Sequence, residues 1–196
     1  IIHALGLPVA ATEIADFGDT RVLAVTRFDR LATPAGWIAR LPQEDFCQAK
    51  GVASASKYDE LGGPGMDACL EVLKSSQTPH EDGRTFLCAQ LLFWLLAATD
   101  GHAKNFSLFM LRQGVYRMTP LYDVLSAWPI IGKKTNQLPY QKAKMAMAVR
   151  SKNAHYKLSE IQRRHWQDLA KRSGVEGAWD AMQNMAQRVD GALSQI

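Results

Sequence analysis

A helical apolar pattern followed at once by a short polar loop is the feature that most constrains the fold of this chain. Apolar residues recur with helical spacing through residues 84–98, which predicts a helix with one strongly buried face. The polar loop, residues 100–105, comes directly after it. Residues 106–119 then form two β-prone runs separated by a turn with Gly114, which predicts a hairpin. Asp123 follows the hairpin.

Three polar residues in this segment have the order that phosphoryl transfer needs. Asp100 is the candidate catalytic base, which accepts the proton of a substrate hydroxyl. Asn105 and Asp123 are candidate Mg²⁺ ligands, because Mg²⁺ takes hard oxygen ligands and shares its shell with phosphate oxygens. The spacing of Asp100 and Asn105 matches the catalytic loop of protein kinases. His102 stands where ordinary kinases carry Lys, as in phosphoinositide-kinase-like loops, so the pattern predicts an atypical kinase.

Three further residues of this segment have candidate roles. Lys104 is a candidate to neutralise the transferred phosphoryl group. His102 is expected to brace the loop by hydrogen bonding, since a single His is more often structural than catalytic. Tyr122 either packs against the nucleotide or belongs to the core.

Four stretches of the sequence are similar to one known family. They are residues 41–48, 62–65, 98–107 and 116–126, and a weaker similarity continues to the C-terminus. In these stretches the chain resembles the HipA family of serine/threonine protein kinases. The resemblance implies an α+β fold, mostly α, that is an atypical protein-kinase-like C-lobe with a hinge β-hairpin and a catalytic-loop hairpin.

The same resemblance implies a function and partners. The parent protein would transfer the γ-phosphoryl group of ATP, with Mg²⁺, to Ser or Thr of a protein target; the family's targets include aminoacyl-tRNA synthetases. Family members are toxins of bacterial toxin–antitoxin pairs, so a small DNA-binding antitoxin and, through that complex, operator DNA are the expected partners. The alternatives are a non-catalytic repressor component on a kinase fold and a small-molecule kinase. An intact set of Asp100, Asn105 and Asp123 favours catalysis.

A second hairpin is predicted where a kinase hinge would pass the adenine. Residues 13–26 run apolar or alternate around a turn that contains Gly18. By the resemblance, backbone groups of Thr26 and Phe28 would pair with the adenine edge, and Asp29 would hold a ribose hydroxyl. The alternative is that the charged residues at this strand end simply face solvent. The expected nucleotide contacts are Thr26, Arg27, Phe28, Asp29, His102, Ala103, Lys104, Asn105, Tyr122 and Asp123.

Part of a kinase is missing from this pattern. A kinase needs a phosphate-covering loop and a Lys on an early strand, yet no Lys precedes Lys50. We therefore expect residues 1–29 to be the remnant of the N-lobe and hinge, and residues 30–196 to be an α-helical C-lobe. As a fragment, the chain is expected to be inactive by itself.

Charge is unevenly distributed along the chain. Residues 1–99 carry 8 basic and 12 acidic residues, whereas residues 100–196 carry 15 and 7. A capping-box pattern from Ser159 to Gln162 predicts a helix that extends through two basic residues. By the resemblance, these two residues, Lys171 and Arg172, would contact operator phosphates; a solvated basic surface is the alternative.

Composition and the remaining motifs exclude several classes. The chain is 47% hydrophobic and 21% charged, and it has neither an apolar run near 18 residues nor a signal peptide, so a cytoplasmic globular domain without a membrane partner is expected. The three cysteines lack disulfide or zinc spacing and are expected in the core. Helices are predicted at residues 43–50 and 66–75. The Gly-rich residues 62–65 lack the Lys of a phosphate loop and predict either a structural turn or a substrate-facing loop.

Overall fold

The computed structural model describes residues 1–194, which contain short strands and one long helix that packs against two other helices. No helix in this range is long and apolar enough to cross a membrane. The strands are β1 (Thr12–Phe17), β2 (Thr20–Val25), β3 (Arg30–Ala32), β4 (Ile38–Arg40), β5 (Gln43–Asp45), β6 (Ser107–Met110), β7 (Tyr116–Met118), β8 (Lys144–Arg150) and β9 (Ala154–Lys157). The helices are α1 (Phe46–Ala49), α2 (Met66–Leu73), α3 (Pro79–Leu95), α4 (Arg163–Ser173), α5 (Ala178–Gln187) and α6 (Val189–Leu193).

Both predicted hairpins are confirmed. Strands β1 and β2 pair antiparallel, with Gly18 at a φ of 58° in the turn. Strands β6 and β7 also pair antiparallel, and both Gln113 and Gly114 adopt positive φ in their turn. Strand β5 adds to the other side of β6, which makes a three-stranded sheet. This sheet carries the segment that joins the polar loop, residues 100–105, to Asp123.

The prediction of one helix over residues 43–50 is wrong in its first part. Gln43 to Asp45 form β5, and α1 begins only at Phe46. The Asp45 side chain accepts the N–H of Gln48 at 2.9 Å, and the Gln48 side chain accepts the N–H of Asp45. This capping box fixes the start of α1. The residues before α1 form a strand because they pair antiparallel with β6.

Helix α3 is the centre of the hydrophobic core. Pro79 occupies its first turn, where a missing N–H costs nothing. Most of its second half is buried, and two of its phenylalanines pack with neighbouring aromatic rings at centroid distances of 5.0 to 6.0 Å. That aromatic cluster consists of Phe46, Phe86, Phe93 and Phe106. The three cysteines are free and buried, as predicted.

The C-terminal part differs in detail from the prediction. Helix α4 includes Lys171 and Arg172 as expected, but its N-cap is Gln162, which forms a capping box with His165 rather than with Ser159. The region predicted as an α-helical lobe, residues 30–196, also contains strands β3 to β9. Strand β8 is buried over most of its length, so it lacks the polar–apolar alternation that would have revealed it.

The Gly-rich residues 62–65 form a tight turn before α2. Gly62 has a φ of 88°, and a Cβ on Gly63 would lie 2.2 Å from the carbonyl oxygen of Ser56. Gly65 is the N-cap of α2, and a Cβ there would lie 2.8 Å from the Asp59 carboxylate. Only glycine permits these close approaches. Of the two predicted alternatives, the geometry favours the structural turn.

Candidate active site

The end of α3 determines where Asp100 emerges from the core. Ala97 is fully buried with a φ of 49°, and the N–H of Ala98 donates to the carbonyl of Phe93 at 2.8 Å. This is a Schellman helix stop with Ala in the left-handed position that usually takes Gly. The Asp100 side chain that follows is 63% exposed. A candidate base is thus presented to solvent at the end of a rigid helix.

The loop after Asp100 folds back on itself. The N–H of His102 donates to Oδ1 of Asn105 at 3.1 Å, and the N–H of Asn105 donates to the carbonyl of His102 at 2.9 Å. His102, Ala103 and Asn105 are all buried. Burial and the nearby Lys57 cation lower the pKa of His102, so its ring is neutral at pH 7. Both bonds come from the His102 backbone, and Nδ1 of its buried ring has no hydrogen-bond partner among residues 1–194, so the bracing role of the side chain stays a prediction.

Asn105 and Asp123 meet although 18 residues separate them. Nδ2 of Asn105 donates to Oδ2 of Asp123 at 3.1 Å. Asp123 is exposed and has a φ of 56°, a left-handed conformation that Asp tolerates better than most residues. Within residues 1–194 no group of three or more His, Cys, Asp or Glu could hold a metal. Oδ1 of Asn105 accepts the N–H of His102 but keeps a second lone pair, so this oxygen and the Asp123 carboxylate are still ligands of the kind that Mg²⁺ takes, with phosphate and water completing its shell.

Lys104 and Tyr122 connect the loop to its surroundings. The ammonium group of Lys104 pairs with the carboxylate of Asp45, the N-cap of α1. The Tyr122 hydroxyl donates to the carbonyl of Lys104 at 2.7 Å and lies 2.6 Å from Oγ of Ser107. Burial raises the pKa of Tyr122 to about 12, so the hydroxyl stays protonated. Tyr122, the residue before Asp123, therefore connects this segment to the polar loop by its hydroxyl.

The predicted hinge borders a cavity of about 280 Å³. The N–H of Thr26 donates to the carbonyl of Ala11 at 2.9 Å, so it is not free for a ligand. In the described part of the chain, the carbonyl of Thr26 and the N–H of Phe28 have no hydrogen-bond partner. An acceptor and a donor so close together match the edge of an adenine. The cavity is lined by Ala10, Val25, Thr26, Arg27, Phe28, Asp29, Gln43 and Tyr122.

Asp29 is more constrained than the sequence suggests. It is 2% exposed, and its carboxylate accepts hydrogen bonds from both Arg27 and Arg30. Hydrogen bonding to Arg27 lowers the pKa of Asp29. The carboxylate is thus already engaged, and the ribose contact remains a prediction.

Gln43 is a cavity residue that the sequence analysis missed. Its Oε1 is buried and has no hydrogen-bond partner among residues 1–194. A buried acceptor without a partner is costly unless a ligand or water satisfies it. Gln43 is therefore a candidate to accept a hydrogen bond from the exocyclic amine of a purine. The residue was hidden because its segment was predicted as a helix rather than as the strand β5.

Lys171 and Arg172 lie in the last turn of α4, remote in sequence from the loop. Lys171 is exposed, and no ion pair is found for it within residues 1–194. Arg172 is partly engaged, because Nη1 lies 3.5 Å from the Asp67 carboxylate and Nη2 donates to the carbonyl of Arg150. Lys171 is the freer of the two for an external phosphate.

Comparison with solved structures defines the class of fold. The chain superposes with a TM-score of 0.84 on HipA in the "Shewanella oneidensis MR-1 Toxin Antitoxin System HipA, HipB and its operator DNA complex". The sequence identity is 23%, and the superposition covers 99% of this chain and 46% of that one. The TM-score to the "Helicobacter pylori proinflammatory kinase CtkA" is 0.56, at 16% identity, with 97% and 71% covered. The fold is therefore a kinase-like α+β fold.

The chain belongs to the family of HipA-like C-terminal domains, because that family's model matches residues 1–196. It is 37% identical over 173 residues to "Putative kinase Y4mE" of Sinorhizobium fredii, which covers 88% of this chain and 38% of that protein. It is 31% identical over 138 residues to "Serine/threonine-protein kinase toxin HipA" of Shewanella oneidensis, which covers 64% and 32%. The chain thus spans 38% and 32% of the length of these two relatives.

Gly101 offers a test of the loop's packing. A Cβ at this position would lie 2.2 Å from the ring of Phe93, which is fully buried. We expect Gly101→Ala to lower the free energy of unfolding by about 1–3 kcal/mol, because the ring must move in a close-packed core. Urea unfolding measures this. Gly191→Ala is the matched control, since a Cβ there meets nothing within 4 Å. Equal stability of both variants would contradict the close contact.

Proposed function

We propose that this chain is the C-terminal domain of a HipA-like serine/threonine protein kinase, which transfers the γ-phosphoryl group of ATP to a protein hydroxyl. The observation that carries the proposal is the contact of Asp123 with Asn105 at 3.1 Å, because Asn105 lies in the same loop as the exposed Asp100. A positioned base and two hard oxygen ligands are what phosphoryl transfer requires, because the chemistry consists mainly of positioning and charge neutralisation.

Each residue then has a defined task. Asp100 accepts the proton of the substrate hydroxyl, and Asn105 and Asp123 would hold Mg²⁺. The adenine would bind in the hinge cavity. There the carbonyl of Thr26, the N–H of Phe28 and Oε1 of Gln43 have no hydrogen-bond partner within residues 1–194 and would bond to the base. When bound, ATP supplies the phosphoryl group and Mg²⁺ neutralises its charge.

The Lys and the loop that bind the ATP phosphates in a kinase would come from residues outside this chain. No Lys precedes Lys50, and the relatives are much longer than this chain. We propose that residues 1–29 belong to the N-lobe and hinge and residues 30–196 to the C-lobe. The isolated chain would accordingly bind ATP weakly and transfer no phosphate.

An antitoxin and operator DNA are the proposed partners, and the cytoplasm the proposed location. The similarity in fold to HipA from a complex with HipB and operator DNA supports this proposal. The basic C-terminal half supports it too. Eleven Lys and Arg residues lie between positions 133 and 172, and within residues 1–194 only four of them pair with carboxylates: Lys144, Arg150, Lys157 and Arg172. The other seven positive charges would attract the phosphates of DNA.

Operator binding tests the role of α4. We expect replacement of Lys171 and Arg172 by Ala to reduce the slope of log affinity against log salt concentration by about one to two units. The reason is that, for each phosphate contact that is lost, about one counterion fewer is released when the complex binds DNA. Base preference stays the same, since phosphate contacts carry no sequence information. Lys50→Ala, in the acidic half, is the control. An unchanged slope in the double variant would assign these residues to a solvated surface.

A transfer assay tests the function itself. The full-length protein, ATP labelled in its γ-phosphate and a protein extract are incubated with Mg²⁺, and labelled proteins are hydrolysed to identify the phosphorylated residue. We expect label on Ser or Thr. Operator binding with an antitoxin but without any transfer would support the alternative, a non-catalytic repressor component. Label only on small molecules would support a small-molecule kinase.

A further inference from the structure

Tyr58 contacts the candidate base, and no sequence motif singles it out. Its hydroxyl donates a hydrogen bond of 2.6 Å to Oδ1 of Asp100, across 42 residues of chain. The ring of His102 is farther from the same oxygen, with Nε2 at 3.9 Å, which is beyond hydrogen-bond range. Tyr58 is therefore the side chain that restrains the otherwise exposed Asp100 carboxylate.

The backbone around Tyr58 is anchored to the fold. The N–H of Gly63 donates to the Tyr58 carbonyl at 2.9 Å, and the absence of a Cβ on Gly63 permits this approach. The next residue, Asp59, is also held, because its carboxylate accepts the N–H of Ala148 in β8 at 2.9 Å. The Gly-rich turn thus fixes the position from which Tyr58 reaches Asp100.

The ring of Tyr58 is held as well. It packs edge-to-face on the buried ring of His102, with centroids 5.1 Å apart and an interplanar angle of 80°. The hydrogen bond to Asp100 and partial burial raise the pKa of Tyr58, so the phenol keeps its proton and remains a donor at neutral pH. Backbone, ring and hydroxyl therefore have one defined arrangement.

We propose that Tyr58 is a positioning residue for Asp100, whose hydroxyl holds Oδ1 so that Oδ2 is left for the substrate hydroxyl. The proposal rests on the proposed kinase function. An exposed Asp otherwise samples several rotamers, and only some of them bring an oxygen within reach of the reacting proton. A base that is itself oriented by a third group is a common arrangement in catalysis.

A competing account is that the Tyr58 hydroxyl occupies the place of the substrate hydroxyl. The substrate would then have to displace Tyr58 from Asp100. The anchored backbone and the packed ring favour positioning, because a displaceable side chain needs room and freedom to leave. The two accounts predict opposite effects when the hydroxyl is removed.

The decisive variant is Tyr58→Phe in the full-length protein. It removes only the hydroxyl and keeps the ring on His102. We expect kcat for phosphate transfer to fall about 10- to 100-fold, because misplacement of a catalytic group by about 1 Å has effects of this size. The KM for ATP and the melting temperature should stay the same. Tyr116→Phe is the matched control, since it removes a hydroxyl bond of 2.7 Å to the carbonyl of Val72.

A double-variant cycle shows whether Tyr58 acts through Asp100. In the Asp100→Asn background, Tyr58→Phe should change the residual rate less than about twofold, because the base that it orients is gone. Equal losses in both backgrounds, unchanged kcat, or a higher rate in Tyr58→Phe would each overturn the proposal; the last would identify Tyr58 as an occupant of the substrate position. Full activity of Asp100→Asn alone would instead refute the proposed base, which is a separate result.

Discussion

Replacing Asp100 by Asn should lower the rate of phosphate transfer by the full-length protein at least about 100-fold, while affinity for ATP changes little. Asn has nearly the same shape as Asp but cannot accept the proton of the substrate hydroxyl. The loss should appear in kcat, because the proton moves only during the reaction. Steady-state kinetics with a protein substrate, together with an ATP-binding titration, separates the two effects.

The control for this substitution is Asp180→Asn. Asp180 lies in the first turn of α5 and is exposed, so the change is chemically identical but distant in sequence from the catalytic loop. Its activity should match that of the unchanged protein. Near-normal turnover of Asp100→Asn would mean that another group takes the proton, and the assignment of Asp100 would be abandoned.

Replacing Asp123 by Asn should remove Mg²⁺-dependent ATP binding as well as turnover. The substitution takes away the negative charge that would hold the metal, and we expect the affinity for Mg²⁺-ATP to weaken at least about tenfold. Asn is preferable to Ala because residue 123 has a φ of 56°, a conformation that Asn tolerates and Ala adopts at a cost of about 1 kcal/mol. The titration is run with Mg²⁺ and with a chelator.

The two arms of that titration contain the control. Binding without Mg²⁺ should be the same in both proteins, because Asp123 does not line the hinge cavity and the substitution leaves it unchanged. If Mg²⁺ strengthens ATP binding equally in Asp123→Asn and in the unchanged protein, Asp123 is not a metal ligand. Asp100→Asn should retain the effect of Mg²⁺, so the pair of variants separates a base from a ligand.

Features that depend on residues close in sequence could be predicted. The buried helix α3 was visible in its apolar spacing, and both hairpins were visible in their glycine turns. The order of Asp100, Asn105 and Asp123 was visible too, although only the fold shows that Asn105 contacts Asp123. The capping box at Asp45 was missed because apolar spacing alone does not reveal where a strand ends and a helix begins.

Features that depend on distant residues could not be predicted. Tyr58 is 42 residues from Asp100, and nothing in its neighbouring sequence indicates that contact. Gln43 lines the hinge cavity only because β5 pairs with a strand more than sixty residues later. In each case the role follows from tertiary packing, which single-sequence patterns do not contain.

The most direct test of the account is a crystal structure of the full-length protein with Mn²⁺ and a non-hydrolysable ATP analogue. Mn²⁺ takes the same oxygen ligands as Mg²⁺ and is located by its anomalous scattering. The account predicts an anomalous peak within coordination distance of Asn105 and Asp123, with the adenine in the cavity beside Gln43. Clear density for the analogue elsewhere, or a metal bound without contact to Asp123, would contradict it.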